Sequence, residues 1–264
     1  MKLKINDHDV FVSTGGQEFN PDENVLLFIH GSGQSHLTYV LQGRFLANRG
    51  WNVLTPDMPA HGHSDGTPLT SITDMADWYA SVLDAAGVKT ATVIGHSQGS
   101  LVAMELARRH GARVDKLVLM ASGLAIPVND ALLDMAHNNQ DAAIGAMMDW
   151  GHGPDGHMHD HTMPGQSHMI YGSAVMRGNV AGALFADLSA CADYTDGGKA
   201  AASISCPTLC ILAGKDKMTP IKAGRKMHAA IKGAKLIELP DAGHMLTGEK
   251  PFEVNKALRE FLNS

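Results

Sequence analysis

The apolar and polar positions divide the chain into alternating strands and helices. Residues 2–13 alternate weakly about Asn6, Asp7 and Asp9, which predicts a β-hairpin at a sheet edge. Val25–Ile29 is instead a continuous apolar run, the mark of a strand covered on both faces. A helix is expected from about Ser35 to Asn48, closed by Gly50, and a strand over Trp51–Thr55. The next helix starts near Thr70–Asp74, runs to Ala86 and stops at Gly87. A strand over Ala91–Ile94, a helix over Gln98–His110 and a strand over Lys116–Met120 follow. Strand signals then lapse and return at Thr208–Leu212 and Lys235–Leu239, each followed by a helix, about Pro220–Ile231 and Pro251–Leu262.

Strands and helices at this spacing predict an α/β fold, a mostly parallel sheet with helices on both faces. Ligands of such sheets bind beyond the carboxyl ends of the strands. The stretch from Leu124 to Asp196 breaks the pattern with short helical runs rich in Met, Gly, Ala and His, and no clear strand. It predicts a helical cap inserted over the sheet edge. The expected organisation is therefore residues 1–123 and 197–264 as the two parts of one core, with 124–196 as the cap.

Composition narrows the class. The 264 residues are 44% hydrophobic and 18% charged, a globular balance. A net charge of −6 without a long single-sign run argues against nucleic acid or an anionic membrane as partner. The first residues contain no apolar signal-like segment, and no apolar run approaches membrane-spanning length. Three cysteines, Cys191, Cys206 and Cys210, are an odd and sparse set that suits a reducing compartment, so the cytoplasm is expected. Cys206 and Cys210 lie too far apart along one strand for a disulfide.

The chemistry centres on Gly95-His96-Ser97-Gln98-Gly99, a G-x-S-x-G pentapeptide between an apolar strand and a helix. A tight strand-to-helix turn there lifts the Ser97 hydroxyl above the sheet edge. It also places the Gln98 N–H at a helix start, where a developing oxyanion can use it. A serine needs a general base, and the base needs an orienting acid. His244 follows the last strand in a Gly-containing loop, where a base can reach Ser97. Asp216, after the preceding strand in Gly214-Lys215-Asp216, can fix its tautomer. Asp241 is the local rival, but lies so near His244 in sequence that a turn-shaping role suits it better. The strand ending at Met120 is followed by Ala121-Ser122-Gly123 and offers no carboxylate.

The order Ser97, Asp216, His244 resembles that of the α/β-hydrolase superfamily, in particular its capped esterase-like members. The resemblance spans nearly the whole chain. It rests on His30-Gly31-Ser32-Gly33, on Asp57 through Ser64, on the pentapeptide, on Gly214-Lys215-Asp216 and on Gly243-His244. It implies an α/β-hydrolase fold, no cofactor and no metal. It also implies a second oxyanion donor in the N–H of Ser32, the residue after the His-Gly pair. Ala60 departs from the family, which often has glycine before its His-Gly pair, and a small local adjustment is expected. His96 reads as a packed or wall-lining residue.

The expected reaction is hydrolysis of small-molecule carboxylic esters with small to medium acyl groups through an acyl-enzyme. The resemblance also admits lactones, thioesters, carbon–carbon bonds, perhydrolysis or a small-molecule sensor with incidental turnover. Met245 stands where hydroxynitrile lyases of the fold carry Lys, and Ser97 where dehalogenases carry Asp. Residues 152–168 are His-rich, which raises a metal reading that the flexible glycines oppose. Met135, Met147, Met148, Met158, Met163, Met169 and Met176 are candidates for core or for an adaptable acyl pocket. A homodimer through an exposed edge or cap surface is compatible with the pattern.

Overall fold

A computed structural model of the chain describes residues 1–157 and 167–264. Eight strands form one sheet in the order β1-β2-β4-β3-β5-β6-β7-β8. They are β1 Lys2–Ile5, β2 His8–Ser13, β3 Val25–Ile29, β4 Asn52–Pro56, β5 Ala91–His96, β6 Val114–Met120, β7 Thr208–Ala213 and β8 Lys235–Leu239. The hairpin β1–β2 pairs antiparallel and joins β4 antiparallel, whereas β3 to β8 run parallel. The mostly parallel sheet read from the hydrophobic pattern is therefore present.

The central strands are largely apolar because they face two cores. Leu27, Ile29, Val93, Leu117, Leu119, Cys210 and Leu212 point to one face. Their chain neighbours Leu26, Phe28, Ile94, Val118, Leu209 and Ile211 point to the other. This is the period of two that a pleated strand imposes. Helices α2 (Ile72–Ala85) and α3 (Gln98–Arg109) cover the first face. Helices α1 (Val40–Ala47) and the C-terminal Pro251–Leu262 cover the second.

Helix starts follow local chemistry. Ser71 caps α2 by accepting from the Asp74 N–H. The expected helix from Ser35 is shorter and begins as a 3-10 turn over His36–Tyr39, capped by the Ser35 hydroxyl.

Between β6 and β7 the described residues hold only helices. They include α4 (Asp130–Asn138), α5 (Gln140–Gly151), α6 (Pro154–His157), α7 (His168–Arg177), α8 (Ala183–Asp193) and α9 (Gly197–Ser203). Leu132, Ile144, Met147, Met148, Met176, Leu184 and Leu188 make a small core of their own there. After β7 come α10 (Ile221–Ala230), the single turn α11 (Leu246–Glu249), and α12, the helix Pro251–Leu262. No helix among the described residues is long and apolar enough to cross a membrane.

Sheet order decides where a site can form. From β3 the chain crosses first to β4 on one side and then to β5 on the other. The strand order reverses between β3 and β5, and the loops leaving them open a crevice at that point. Those loops carry His30–Gly33 and Ser97.

Candidate active site

Ser97 sits between β5 and α3 with φ 55° and ψ −124°, a conformation that non-glycine residues rarely adopt. The turn survives because its flanks lack side chains. A Cβ on Gly95 would lie 2.2 Å from the Gly99 carbonyl oxygen, and one on Gly99 would lie 2.1 Å from that of Ile29. The Ser97 N–H donates to Met120 O at 2.9 Å, and the Ser122 hydroxyl donates to Ser97 O at 3.1 Å. Ser100 reinforces the elbow by donating to Gly95 O and accepting from the Met120 N–H. The Ser97 side chain makes no cap bond to its own helix. The first N–H groups of α3 have no intrahelical acceptor, which gives this helix end a positive character.

His244 lies after β8 and is 3% exposed. Its Nδ1 is 2.8 Å from Asp216 Oδ2. A carboxylate only accepts, so Nδ1 carries the proton and Nε2 keeps a lone pair. Burial pushes the Asp216 carboxyl up. The facing His244 and hydrogen bonds from His244 and Thr219 outweigh it, and the net shift is downward. Asp216 Oδ1 accepts the N–H groups of Met218 and Thr219 at 2.8 and 2.7 Å, and the Thr219 hydroxyl donates to Oδ2 at 2.7 Å. Asp241 makes no contact with His244 that would make it a rival.

Ser97, His244, Gly31, Ser32 and His96 line one cavity of about 150 Å³. Ile126, Val128, Leu132, Met147, Met148 and Leu188 supply much of its apolar wall, and Lys217 stands at its edge. Of the methionines singled out, Met147 and Met148 line the cavity, joined by Met218 and Met245. Met176 packs in the helical insertion, with Met135 and Met169 against that core. Met158 and Met163 lie outside the described residues.

His96 does more than line the wall. Its Nε2 is 2.7 Å from the backbone oxygen of His244, so Nε2–H donates and ties the end of β5 to the His244 loop. Burial first, and His244 next, push its pKa down to about 3. His30 Nε2 accepts the Met58 N–H, so its Nδ1–H donates to Gly31 O at 3.0 Å. Burial and the nearby His61 push its pKa down to about 4. Both rings are neutral supports of the loops around Ser97.

Those two rings set an acid limit. In the unfolded chain they take a proton below a pH of about 6.5. In the folded chain they resist until about 4 and about 3. Between these limits the unfolded state binds more protons, so stability falls as pH falls. Asp216, with its lowered pKa, adds to the loss at the acid end. His61 works in the opposite sense. Burial, the largest single influence, lowers its pKa, but the Asp187 charge and hydrogen bonds to Asp187 and Pro59 together outweigh it and the net shift is upward. Its contribution is complete below about 6.5 and is lost as pH climbs through the raised value. Urea midpoints measured from pH 7 to 4 are expected to drop steadily, and a flat or rising series would contradict neutral His30 and His96.

Ala60 shows why glycine is common at its position. Its φ is 67°, in the left-handed region. The alanine is accommodated at a strain of about 1–2 kcal/mol, and its carbonyl still accepts the Val180 N–H at 3.0 Å. The next glycine, Gly62, has φ 51° and lies against the Asp57 carboxylate, where a Cβ would be 2.2 Å from Oδ2.

The His-rich stretch 152–168 falls partly outside the described residues. Of the described part, His152 is buried and its Nδ1–H donates to Met148 O at 2.8 Å. No group of three or more His, Cys, Asp or Glu placed to hold a metal ion occurs among the described residues.

Sequence reasoning missed four residues that hold the site. Thr219 steadies Asp216, and its only signal was the Thr-Pro pair before α10. Ser100 had no signal beyond a small polar residue after the pentapeptide. Glu249 accepts from both Gly153 and Gly243 N–H groups, joining the insertion to the His244 loop. Asp187, on α8, accepts from Gly33 N–H at 2.7 Å.

The sequence profile of the alpha/beta hydrolase family matches residues 26–257. The pimeloyl-[acyl-carrier protein] methyl ester esterase of Neisseria meningitidis is 28% identical over 243 residues, covering 82% of this chain and 84% of its own. The 2-hydroxymuconate semialdehyde hydrolase of Pseudomonas putida is 36% identical over 111 residues, covering 40% of this chain and 39% of its own. Among solved structures, the enol-lactonase of Burkholderia xenovorans LB400 superposes with a TM-score of 0.88 at 20% identity, with both chains fully covered.

Proposed function

The chain belongs to the alpha/beta hydrolase family, and from that premise we propose that it hydrolyses carboxylic esters of small to medium acyl groups through an acyl-enzyme on Ser97. The observation that carries the reading is the 2.8 Å contact of His244 Nδ1 with Asp216, with His244 and Ser97 both lining one cavity. The esterase name of the Neisseria relative, at 28% identity over most of both chains, supports the same bond class.

In this reading Ser97 Oγ attacks the ester carbonyl while His244 Nε2 takes its proton. Asp216 holds the imidazole and stabilises the imidazolium that forms. The N–H groups of Ser32 and Gln98 bind the oxyanion, at buried residues where each donor counts for more than in water. His244 then returns the proton to the leaving alkoxide. A water activated by the same nitrogen adds to the acyl carbonyl, and collapse of the adduct frees the acid and restores Ser97. The described helices between β6 and β7 act as a cap over the cavity, and Met147, Met148, Met218 and Met245 give the acyl site an adaptable apolar lining. The unpaired Cys191, Cys206 and Cys210 support a reducing, cytoplasmic compartment.

Cavity size sets the acyl preference. About 150 Å³ is the size of an engineered core cavity that takes up benzene. With p-nitrophenyl esters of graded length, kcat/KM is expected to peak between acetyl and butyryl. It is expected to fall about tenfold or more by octanoyl, since each surplus methylene must fit a cavity of about 150 Å³. A flat or rising series would contradict the size limit, and silence on every ester would overturn the esterase reading.

A further inference from the structure

We propose that Asp187 is a positioning residue through which the cap sets the geometry of the oxyanion loop. This rests on the reading of Ser32 and Gln98 as the oxyanion donors. Asp187 lies in the middle of α8 and is 1% exposed. Its Oδ2 accepts the Gly33 N–H at 2.7 Å and faces His61 Nε2 at 2.9 Å. Its backbone oxygen accepts from the Gln98 side chain at 2.9 Å. One turn further along α8, Cys191 Sγ stands 3.7 Å from Ser32 Oγ. A single cap helix therefore touches both residues that present the donors and the residue next to one of them.

The loop is held from two sides. On the core side the His30 Nδ1–H donates to Gly31 O at 3.0 Å. On the cap side Asp187 takes the Gly33 N–H, while Asn179 Nδ2 donates to Gly33 O at 2.6 Å. Ser32 lies between these two grips. Gly33 has φ 67° and no room for a side chain, since a Cβ there would lie 2.8 Å from Met176 and 2.9 Å from Leu184, both in the cap.

The carboxylate is matched in charge. Both ring nitrogens of His61 face oxygens, Pro59 O at 2.9 Å and Asp187 Oδ2 at 2.9 Å. A ring that donates from both nitrogens is an imidazolium. Burial is the largest single influence and lowers its pKa, but the Asp187 charge and the hydrogen bonds to Asp187 and Pro59 together outweigh it, and the net shift is upward. A buried ion pair is weak as a source of stability, and a well-packed apolar pair often serves as well. What the pair adds here is a directed acceptor for one backbone N–H beside the oxyanion donor. Donors work only when they sit 2.7–3.1 Å from the developing charge, and a shift of about 1 Å costs about 10² in rate.

The test compares wild type, Asp187→Ala and Asp187→Asn for ester kinetics. It also compares their inhibition by a trifluoromethyl ketone and by the methyl ketone of the same chain. The trifluoromethyl ketone adds to Ser97 Oγ, and its carbonyl oxygen becomes the oxyanion, whereas the methyl ketone stays in its ground state. For Asp187→Ala, kcat is expected to fall about 10- to 100-fold with KM within about twofold. The trifluoromethyl ketone is expected to weaken by the same factor, with methyl ketone affinity unchanged. Asp187→Asn keeps one acceptor for the Gly33 N–H and is expected to recover part of the loss. It carries the test if the alanine variant does not fold. Unchanged kcat and trifluoromethyl ketone affinity in a less stable variant would overturn the proposal, as would equal weakening of both ketones. If wild type binds the two ketones equally, the acyl-enzyme reading itself fails and the proposal falls with it.

Discussion

Replacing Ser97 with alanine is expected to lower kcat for ester hydrolysis by about 10⁶, the loss that follows removal of the nucleophile in a serine hydrolase of another fold. The expectation rests on how much of the local structure serves this one hydroxyl. The backbone at Ser97 is strained, Gly95 and Gly99 leave no space for side chains, and the Ser97 side chain is not spent on capping α3. Stability is expected to change little, because removing one hydroxyl leaves the Ser97 N–H bond to Met120 O intact. Adding His244→Ala to Ser97→Ala is expected to cost almost nothing more, since residues that act as one unit are not additive. Steady-state rates on a p-nitrophenyl ester, with thermal melts alongside, check both. A Ser97→Ala variant that retained a tenth of wild-type kcat would remove Ser97 as the nucleophile.

Asp216→Asn is expected to cost about 10⁴ in kcat, and the local hydrogen bonds give the reason. Oδ1 accepts two backbone N–H groups, from Met218 and Thr219. In the asparagine variant those donors fix the carboxamide oxygen at the Oδ1 position. The amide NH₂ then takes the place of Oδ2 and faces His244 Nδ1. The imidazole must turn its lone pair to Nδ1 and carry its proton on Nε2, which leaves it unable to accept a proton from Ser97. KM is expected to hold within a few-fold, because Asp216 is not among the residues lining the cavity. A loss below tenfold, measured in kcat at neutral pH, would show that Asp216 does not set the His244 tautomer.

What was legible in the sequence was what backbone sterics and local periodicity decide. The largely apolar runs of β3, β5 and β7 follow from two-sided burial, and successive residues alternate between the two cores. The pentapeptide was legible because only glycine fits where a Cβ would meet a carbonyl at about 2 Å. His244 and Asp216 were legible as residues just past strand ends, with their contact left to the structure. Less legible were elements whose signal is too short for a period, the 3-10 turn His36–Tyr39, the single turn Leu246–Glu249 and the helix Gly197–Ser203. Least legible were pairings between distant segments. Asp187 meets Gly33 from 154 positions away, and His96 meets the His244 carbonyl from 148. Nothing in the local pattern of α8 marks one aspartate as an acceptor for a loop that leaves β3. Such pairings follow from how the insertion seats on the core, and seating is a property of the assembled cavity.

The most direct test of an acyl-enzyme on Ser97 is intact-protein mass spectrometry after rapid mixing with p-nitrophenyl acetate and acid quench, followed by peptide mapping. The expected result is a mass increase of one acetyl group within the first turnovers, located to Ser97 and missing from Ser97→Ala. Ester turnover with no covalent adduct at any time, or with the acetyl group on another residue, would contradict it.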